Sequence, residues 1–216
     1  ILLLSSALSW FVTGDSVLWG WRPWWSRGDA LGAWLNGPVI LTDAELKQYD
    51  GSDPNTPIYV ALNGTIYDVT GGRRIYGPGG SYNIFAGRDA TRAFITGCFA
   101  EDLTPDTRGV EEMFMPIYPD EELSSDETSR QQDSASKASK TQVKLRRERD
   151  RRNANKQIRE TIDHWAALFR GERGDKPYFE VGKVKREEGW LDALPKRALC
   201  ESAKKSRPKV KDENSS

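Results

Sequence analysis

The bend that most constrains this chain lies between Arg73 and Asp89. There the sequence reads RRIYGPGGSYNIFAGRD, with four glycines, a proline and two tyrosines in seventeen residues. A Gly-Pro-Gly-Gly run continues neither a helix nor a strand: glycine supplies angles and close approach denied to other residues, and proline fixes one turn. Tyr76 and Tyr82 therefore flank a tight turn at which nothing bulky obstructs a flat ligand.

The elements around the bend can be read from local signals. Val39-Ile40-Leu41 is a short strand candidate, and Thr42-Asp43-Ala44-Glu45 has the form of a capping box that opens a short helix ending at Asp50-Gly51. Ile58–Leu62 and Thr65–Val69 are strand-forming runs joined by Asn63-Gly64, the strongest short hairpin signal. After the bend, Arg88 to Phe99 reads as a helix capped by Asp89, and Thr104-Pro105-Asp106 begins another turn. Ile158, Ile162, Trp165, Ala166 and Phe169 recur at helical spacing and predict a helix that closes the core.

Composition narrows the chemistry. With 37% hydrophobic and 30% charged residues, not all 216 residues can join one globular core. Lys+Arg and Asp+Glu balance at 32 each, which leaves no overall field for nucleic acid. The single histidine, His164, excludes a bis-histidine metal site within one chain, and it reads as a polar surface residue. Cys98 and Cys200 are the two cysteines, in no CxxC pattern, so a zinc site is not expected. They could pair, but two isolated thiols fit a reducing compartment at least as well. No nucleophile–base pair or phosphate loop is evident, so no enzyme is expected.

The two ends and the middle differ from this core. Ile1 to Gly14 carries no charge, and six of the eight tryptophans fall in the first 34 residues, beside Arg22 and Arg27. This reads as the end of a membrane anchor with an aromatic interface, the arginines favouring a cytosolic side for the rest of the chain. Tyr118 to Lys140 is polar and charged, with too little apolar surface to order itself. Lys144 to Arg152 holds six basic and two acidic residues and reads as a solvated helix face. From Pro195 the chain is rich in Lys, Ser and Pro.

Taken together, the strand, capped helix, Asn-Gly hairpin, glycine bend and following helix resemble the cytochrome b5-like haem/steroid-binding fold, and more specifically the membrane-associated progesterone receptor family. The residues that carry the likeness are Leu41–Leu46, Leu62–Thr70 and the run from Tyr76 to Ala90, YGPGGSYNIFAGRDA; a weaker match runs through Asp163-His164-Trp165 to Tyr178 and Val181-Gly182-Lys183. The resemblance implies an α+β domain in two parts, residues 39–116 and 154–186, interrupted by a charged low-complexity insertion, 117–153. Residues 1–25 would be the anchor remnant, 26–38 a linker and 187–216 a disordered tail.

It also implies a cofactor. Cytochrome b5 itself uses a His-Pro-Gly-Gly turn and a second histidine, whereas here Gly77 stands in the histidine's place before Pro78-Gly79-Gly80. The family uses a tyrosine to bind haem b iron, and that tyrosine falls on Tyr82; Tyr76 and Tyr178 would assist by hydrogen bonding. Pro177 occupies the place of the family's lysine, with Lys176 one residue early. A phenolate ligand stabilises ferric iron and leaves one iron face open. The implied function is a haem-binding regulator anchored in the endoplasmic reticulum membrane, facing the cytosol and supporting haem-thiolate monooxygenases of sterol metabolism. Haem-mediated homodimerisation is a further implication. The alternatives are a cytochrome b5-like electron carrier and a steroid- or lipid-binding module lined by Ile75, Ile84, Phe85 and Phe94.

Overall fold

The computed structural model describes residues 2–13, 35, 37–117, 137–173, 178–192 and 194–208. Five strands form one mixed sheet: β1 (Val39–Leu41), β2 (Tyr59–Leu62), β3 (Thr65–Asp68), β4 (Arg88–Asp89) and β5 (Phe179–Val184), in the order β1-β5-β3-β2-β4. β1 runs parallel to β5 and β4 parallel to β2, while β2–β3 and β3–β5 are antiparallel. The described residues include helices α1 (Leu2–Thr13), α2 (Asp43–Leu46), α3 (Arg73–Tyr76), α4 (Thr91–Thr96), α5 (Lys137–Phe169) and α6 (Glu201–Lys205).

Local chemistry explains the frame. Thr42 and Glu45 form the expected reciprocal capping box on α2. Asn63 and Gly64 both take positive φ, 50° and 73°, which a two-residue hairpin of matching twist requires. At Gly182 a Cβ would lie 1.8 Å from the Val39 carbonyl oxygen, so only glycine lets β5 lie this close to β1.

The sheet is buried on both faces. Leu46, Tyr59, Ala61, Ile66, Phe179 and Val181 pack on one side. On the other, Val60, Leu62, Tyr67 and Val69 meet Tyr76, Phe85, Phe94, Phe169 and Tyr178. The predicted closing helix is the C-terminal part of α5, where Ala154, Ala166, Ala167 and Phe169 are buried. The Trp165 indole N–H donates to the Phe94 carbonyl at 3.0 Å and joins α5 to α4.

Several expectations need correction. The segment from Arg88 to Phe99 is not one helix: Arg88-Asp89 joins the sheet and α4 starts at Thr91. The Asp89 carboxylate accepts from Gly64 N–H (3.0 Å), Thr91 N–H (3.1 Å) and the Arg186 guanidinium (3.0 Å), so it ties strand to hairpin instead of capping α4. Helix α5 begins at Lys137, inside the stretch assigned to a low-complexity insertion, and extends about 50 Å.

The C-terminal segment assigned to a disordered tail is built into the domain through residue 208. Leu199, Cys200 and Ala203 pack with Cys98 and Met113. Cys98 and Cys200 form a disulfide across 102 residues of sequence, which resolves the cysteine alternative in favour of pairing. Arg92, fully buried, supplies the rest of the attachment. Its Nε donates to Asp102 at 3.0 Å, and its other donors reach the carbonyls of Asp106, Arg108, Arg197 and Ala198.

At the other end, α1 is helical, with Trp10 and Phe11 exposed, while the expected interface at Trp19–Trp25 lies outside the described residues. Among the described residues, no helix is long and apolar enough to cross a membrane.

Candidate functional site

The bend begins where α3 stops. Gly77 N–H closes the helix on the Arg73 carbonyl (2.8 Å), Gly80 N–H bonds the Gly77 carbonyl (2.9 Å), and Tyr82 N–H returns to the Ile75 carbonyl (2.9 Å). This folding back leaves no space for a side chain at Gly80, where a Cβ would stand 2.2 Å from the Ile75 oxygen. Gly79 differs: it has φ +79° and a Cβ there would meet nothing within 4 Å, so the tip of the bend is open.

Two polar side chains moor the bend. The Asn83 amide donates to the Tyr76 carbonyl at 2.8 Å and to the Asp50 carbonyl at 3.3 Å. The Arg73 guanidinium donates to the Thr56 carbonyl at 2.8 Å.

The structure brings together three of the four candidate residues. The ring centroid of Tyr76 is 6.1 Å from that of Tyr82 and 5.8 Å from that of Tyr178. Their exposures differ: Tyr82 is 38% exposed, Tyr76 5% and Tyr178 2%. The Tyr178 hydroxyl presses on Gly72, where a Cβ would lie 2.3 Å from it. Lys176 lies outside the described residues.

Burial pushes the phenols of Tyr76 and Tyr178 above the ordinary tyrosine range, and the neighbouring phenols of Tyr178 and Tyr82 push Tyr76 further. Both buried tyrosines therefore keep their protons at neutral pH. Tyr82 is the most exposed of the three.

Aromatic rings wall the three phenols. Phe85 and Phe99 stand 5.6 and 6.2 Å from Tyr82, and Phe169 is 6.4 Å from Tyr76. Phe99 carried no periodic or motif signal, and only the turn at residues 96–102 places it here. Of the four apolar residues considered for a lipid pocket, Phe85 and Phe94 are buried in the core, while Ile84 is 40% exposed beside Tyr82. His164 is exposed, its Nδ1 3.0 Å from Arg173.

The donor set suits a ferric porphyrin. It combines one exposed tyrosine, two buried ones, an apolar aromatic wall and a bend without side chains at its tip. Of the three tyrosines, Tyr82 is the exposed one and the one that could hold a metal.

Residues 42–132 match the cytochrome b5-like haem/steroid binding domain family. Membrane steroid-binding protein 1 of Arabidopsis thaliana is 55% identical over 71 residues, covering 32% of this chain and 32% of that protein. The neuferricin homolog of Caenorhabditis briggsae is 49% identical over 75 residues, covering 34% and 23%. The match thus spans about a third of the length of one relative and under a quarter of the other. A solved Arabidopsis thaliana structure with a cytochrome b5 like fold is 26% identical and covers 69% of this chain and 93% of its own, with a TM-score of 0.42.

The α+β architecture and the bend accord with the cytochrome b5-like haem/steroid binding domain that residues 42–132 match. Within that class, the matched stretch is similar to membrane steroid-binding proteins and to neuferricin homologs.

Proposed function

We propose that this chain is a haem-binding protein in which the phenolic oxygen of Tyr82 is the axial iron ligand. The observation that carries this reading is the convergence of one exposed and two buried tyrosines at a glycine bend. The bound group would be haem b, which supplies a ferric centre that stabilises phenolate. Tyr76 and Tyr178 orient and hydrogen-bond, and the rings of Phe85 and Phe99 exclude water.

With one oxygen ligand and a single histidine in the chain, the site suits haem holding or transfer better than a bis-imidazole electron shuttle. Steroid or lipid binding remains the competing use of the same wall, favoured by the name of the Arabidopsis thaliana relative.

Membrane attachment, at the endoplasmic reticulum, is the setting we propose, but the disulfide argues for the opposite face from the one the arginines near the N-terminus suggest. Disulfides persist in oxidising compartments and are rare in the cytosol. We therefore place the domain on the lumenal side. Support of haem-thiolate monooxygenases, and dimerisation through haem, are subordinate to that placement: the former requires a partner surface reachable from the lumen.

Hemin titration tests the ligand. The wild-type protein is expected to give a tyrosinate–ferric charge-transfer spectrum, and Tyr82→Phe to lose that band and most of its affinity. An unchanged spectrum in Tyr82→Phe removes Tyr82 as ligand. Sterol binding to haem-free protein, undisturbed by added hemin, would move the assignment to the lipid reading.

A further inference from the structure

The C-terminal segment from Leu191 to Arg207 lies beyond the residues matched by the domain family, yet it is fastened to the domain at many points. Arg108 donates to the carbonyls of Leu191 and Leu194, both at 3.0 Å, and Arg92 to those of Arg197 (3.3 Å) and Ala198 (3.1 Å). Arg197 donates in return to the Glu101 carbonyl at 2.9 Å. The segment is a strap laid along residues 98–116, with the Cys98–Cys200 bridge near its middle.

The strap's anchor adjoins the candidate site. Cys98 is followed directly by Phe99, whose ring is 5.2 Å from Phe85 and 6.2 Å from Tyr82. Residues 96–102 form one tight turn: Asp102 N–H bonds the Cys98 carbonyl at 3.0 Å, and the Asp102 carboxylate holds both Thr96 (2.8 Å) and Arg92 (3.0 Å). One continuous set of contacts thus links the strap, Arg92, the bridge and the aromatic ring beside Tyr82.

We propose that the Cys98–Cys200 bridge and Arg92 are positioning groups for the haem site: they hold Phe99 against Tyr82, so retention of a bound haem depends on the bridge being closed. This rests on the assignment of Tyr82 as ligand. Opening the bridge takes two electrons and two protons from a dithiol, through a mixed disulfide; Cys98 and Cys200 leave as thiols and the reductant as a disulfide. Both cysteines are only 7% exposed, so the attacking thiolate gains access when the strap lifts. Haem retention and strap attachment then vary together.

The test uses the full chain, loaded with hemin and transferred to excess apomyoglobin, with the dissociation rate and absorption spectrum recorded together. Cys98→Ser/Cys200→Ser is expected to release hemin about tenfold faster, the mid-range of coupling between contacting groups, with its spectrum unchanged. Arg92→Lys, which retains the cation but not the fork of donors, should fall between the two. A bridge that acts only as a staple would lower the melting temperature and leave dissociation unchanged well below it; that result overturns the proposal. Where the double variant does not fold, Phe99→Leu in the bridged protein replaces it: faster release supports the proposal and an unaltered rate overturns it. Loss of the tyrosinate band in Tyr82→Phe is read separately, so failure of the ligand assignment is distinguishable from failure of the strap.

Discussion

The glycine bend at 73–89 and the strap region around Arg92 are both specific pieces of structure, but they are specified differently. The bend is held mostly by backbone bonds between residues no more than seven apart, such as Tyr82 N–H to the Ile75 carbonyl. The strap is held by side chains reaching across the sequence, with Arg92 bonding Arg197 and Ala198 more than a hundred positions away. Short-range bonds lose little chain entropy on closing, whereas long-range ones must outweigh a large loop. The bend can therefore form as a unit, while the strap depends on charge-assisted bonds and a covalent link.

This contrast can be broken most forcefully at Arg92. Replacing it with Leu leaves the buried Asp102 carboxylate without its cation, and we expect a loss of about 3–5 kcal/mol, read by urea denaturation. A loss under about 1 kcal/mol would show that the strap does not need its buried arginine.

The bend can be challenged with a single methyl group. Gly80→Ala drives a Cβ into the Ile75 carbonyl and should cost roughly 2–3 kcal/mol, with weakened hemin binding. Gly79→Ala meets nothing and should cost only about 1 kcal/mol through its positive φ. Equal costs at the two positions would deny that the close return of the chain shapes the bend.

Alkali sharpens the picture of the tyrosine cluster. The native state holds the Tyr76 proton more tightly than the unfolded chain does. Its contribution is complete below about pH 10 and is lost as pH rises from there through the folded value, at about 1.4 kcal/mol per pH unit. Stability of Tyr76→Phe should decline less steeply over that window. A parallel decline would mean that Tyr76 titrates normally.

The smallest effect is expected at a purely local feature. Thr42→Ala removes one half of the capping box on α2 and should cost about 1 kcal/mol in thermal or urea unfolding, without changing hemin binding.

The same division governs how much could be read from the residues alone. The capping box at Thr42, the Asn63-Gly64 hairpin, the bend and the closing stripe through Trp165 and Phe169 are written in local patterns, and each is found in the structure. The convergence of Tyr76, Tyr82 and Tyr178 was legible only through resemblance, because Tyr178 lies nearly a hundred positions from Tyr82. The strap was missed because a Lys-, Ser- and Pro-containing stretch shows no apolar periodicity; its order comes from backbone carbonyls offered to distant arginines. Asp89 misled for a related reason: it looks like a helix cap, but Arg186 and the hairpin draw it into the sheet. Phe99 became part of the site only through the turn that Asp102 closes.

The position of β5 has a consequence for synthesis. This strand sits between β1 and β3, yet it follows β3 by more than a hundred residues. As the chain leaves the ribosome, β1 has no neighbour and one margin of the β2–β3 hairpin stays bare until Val184 has emerged. Growing chains thus carry an adhesive rim while the more than one hundred residues between β3 and β5 are made, and a stop codon upstream of Phe179 would yield a sticky fragment that cannot complete its sheet.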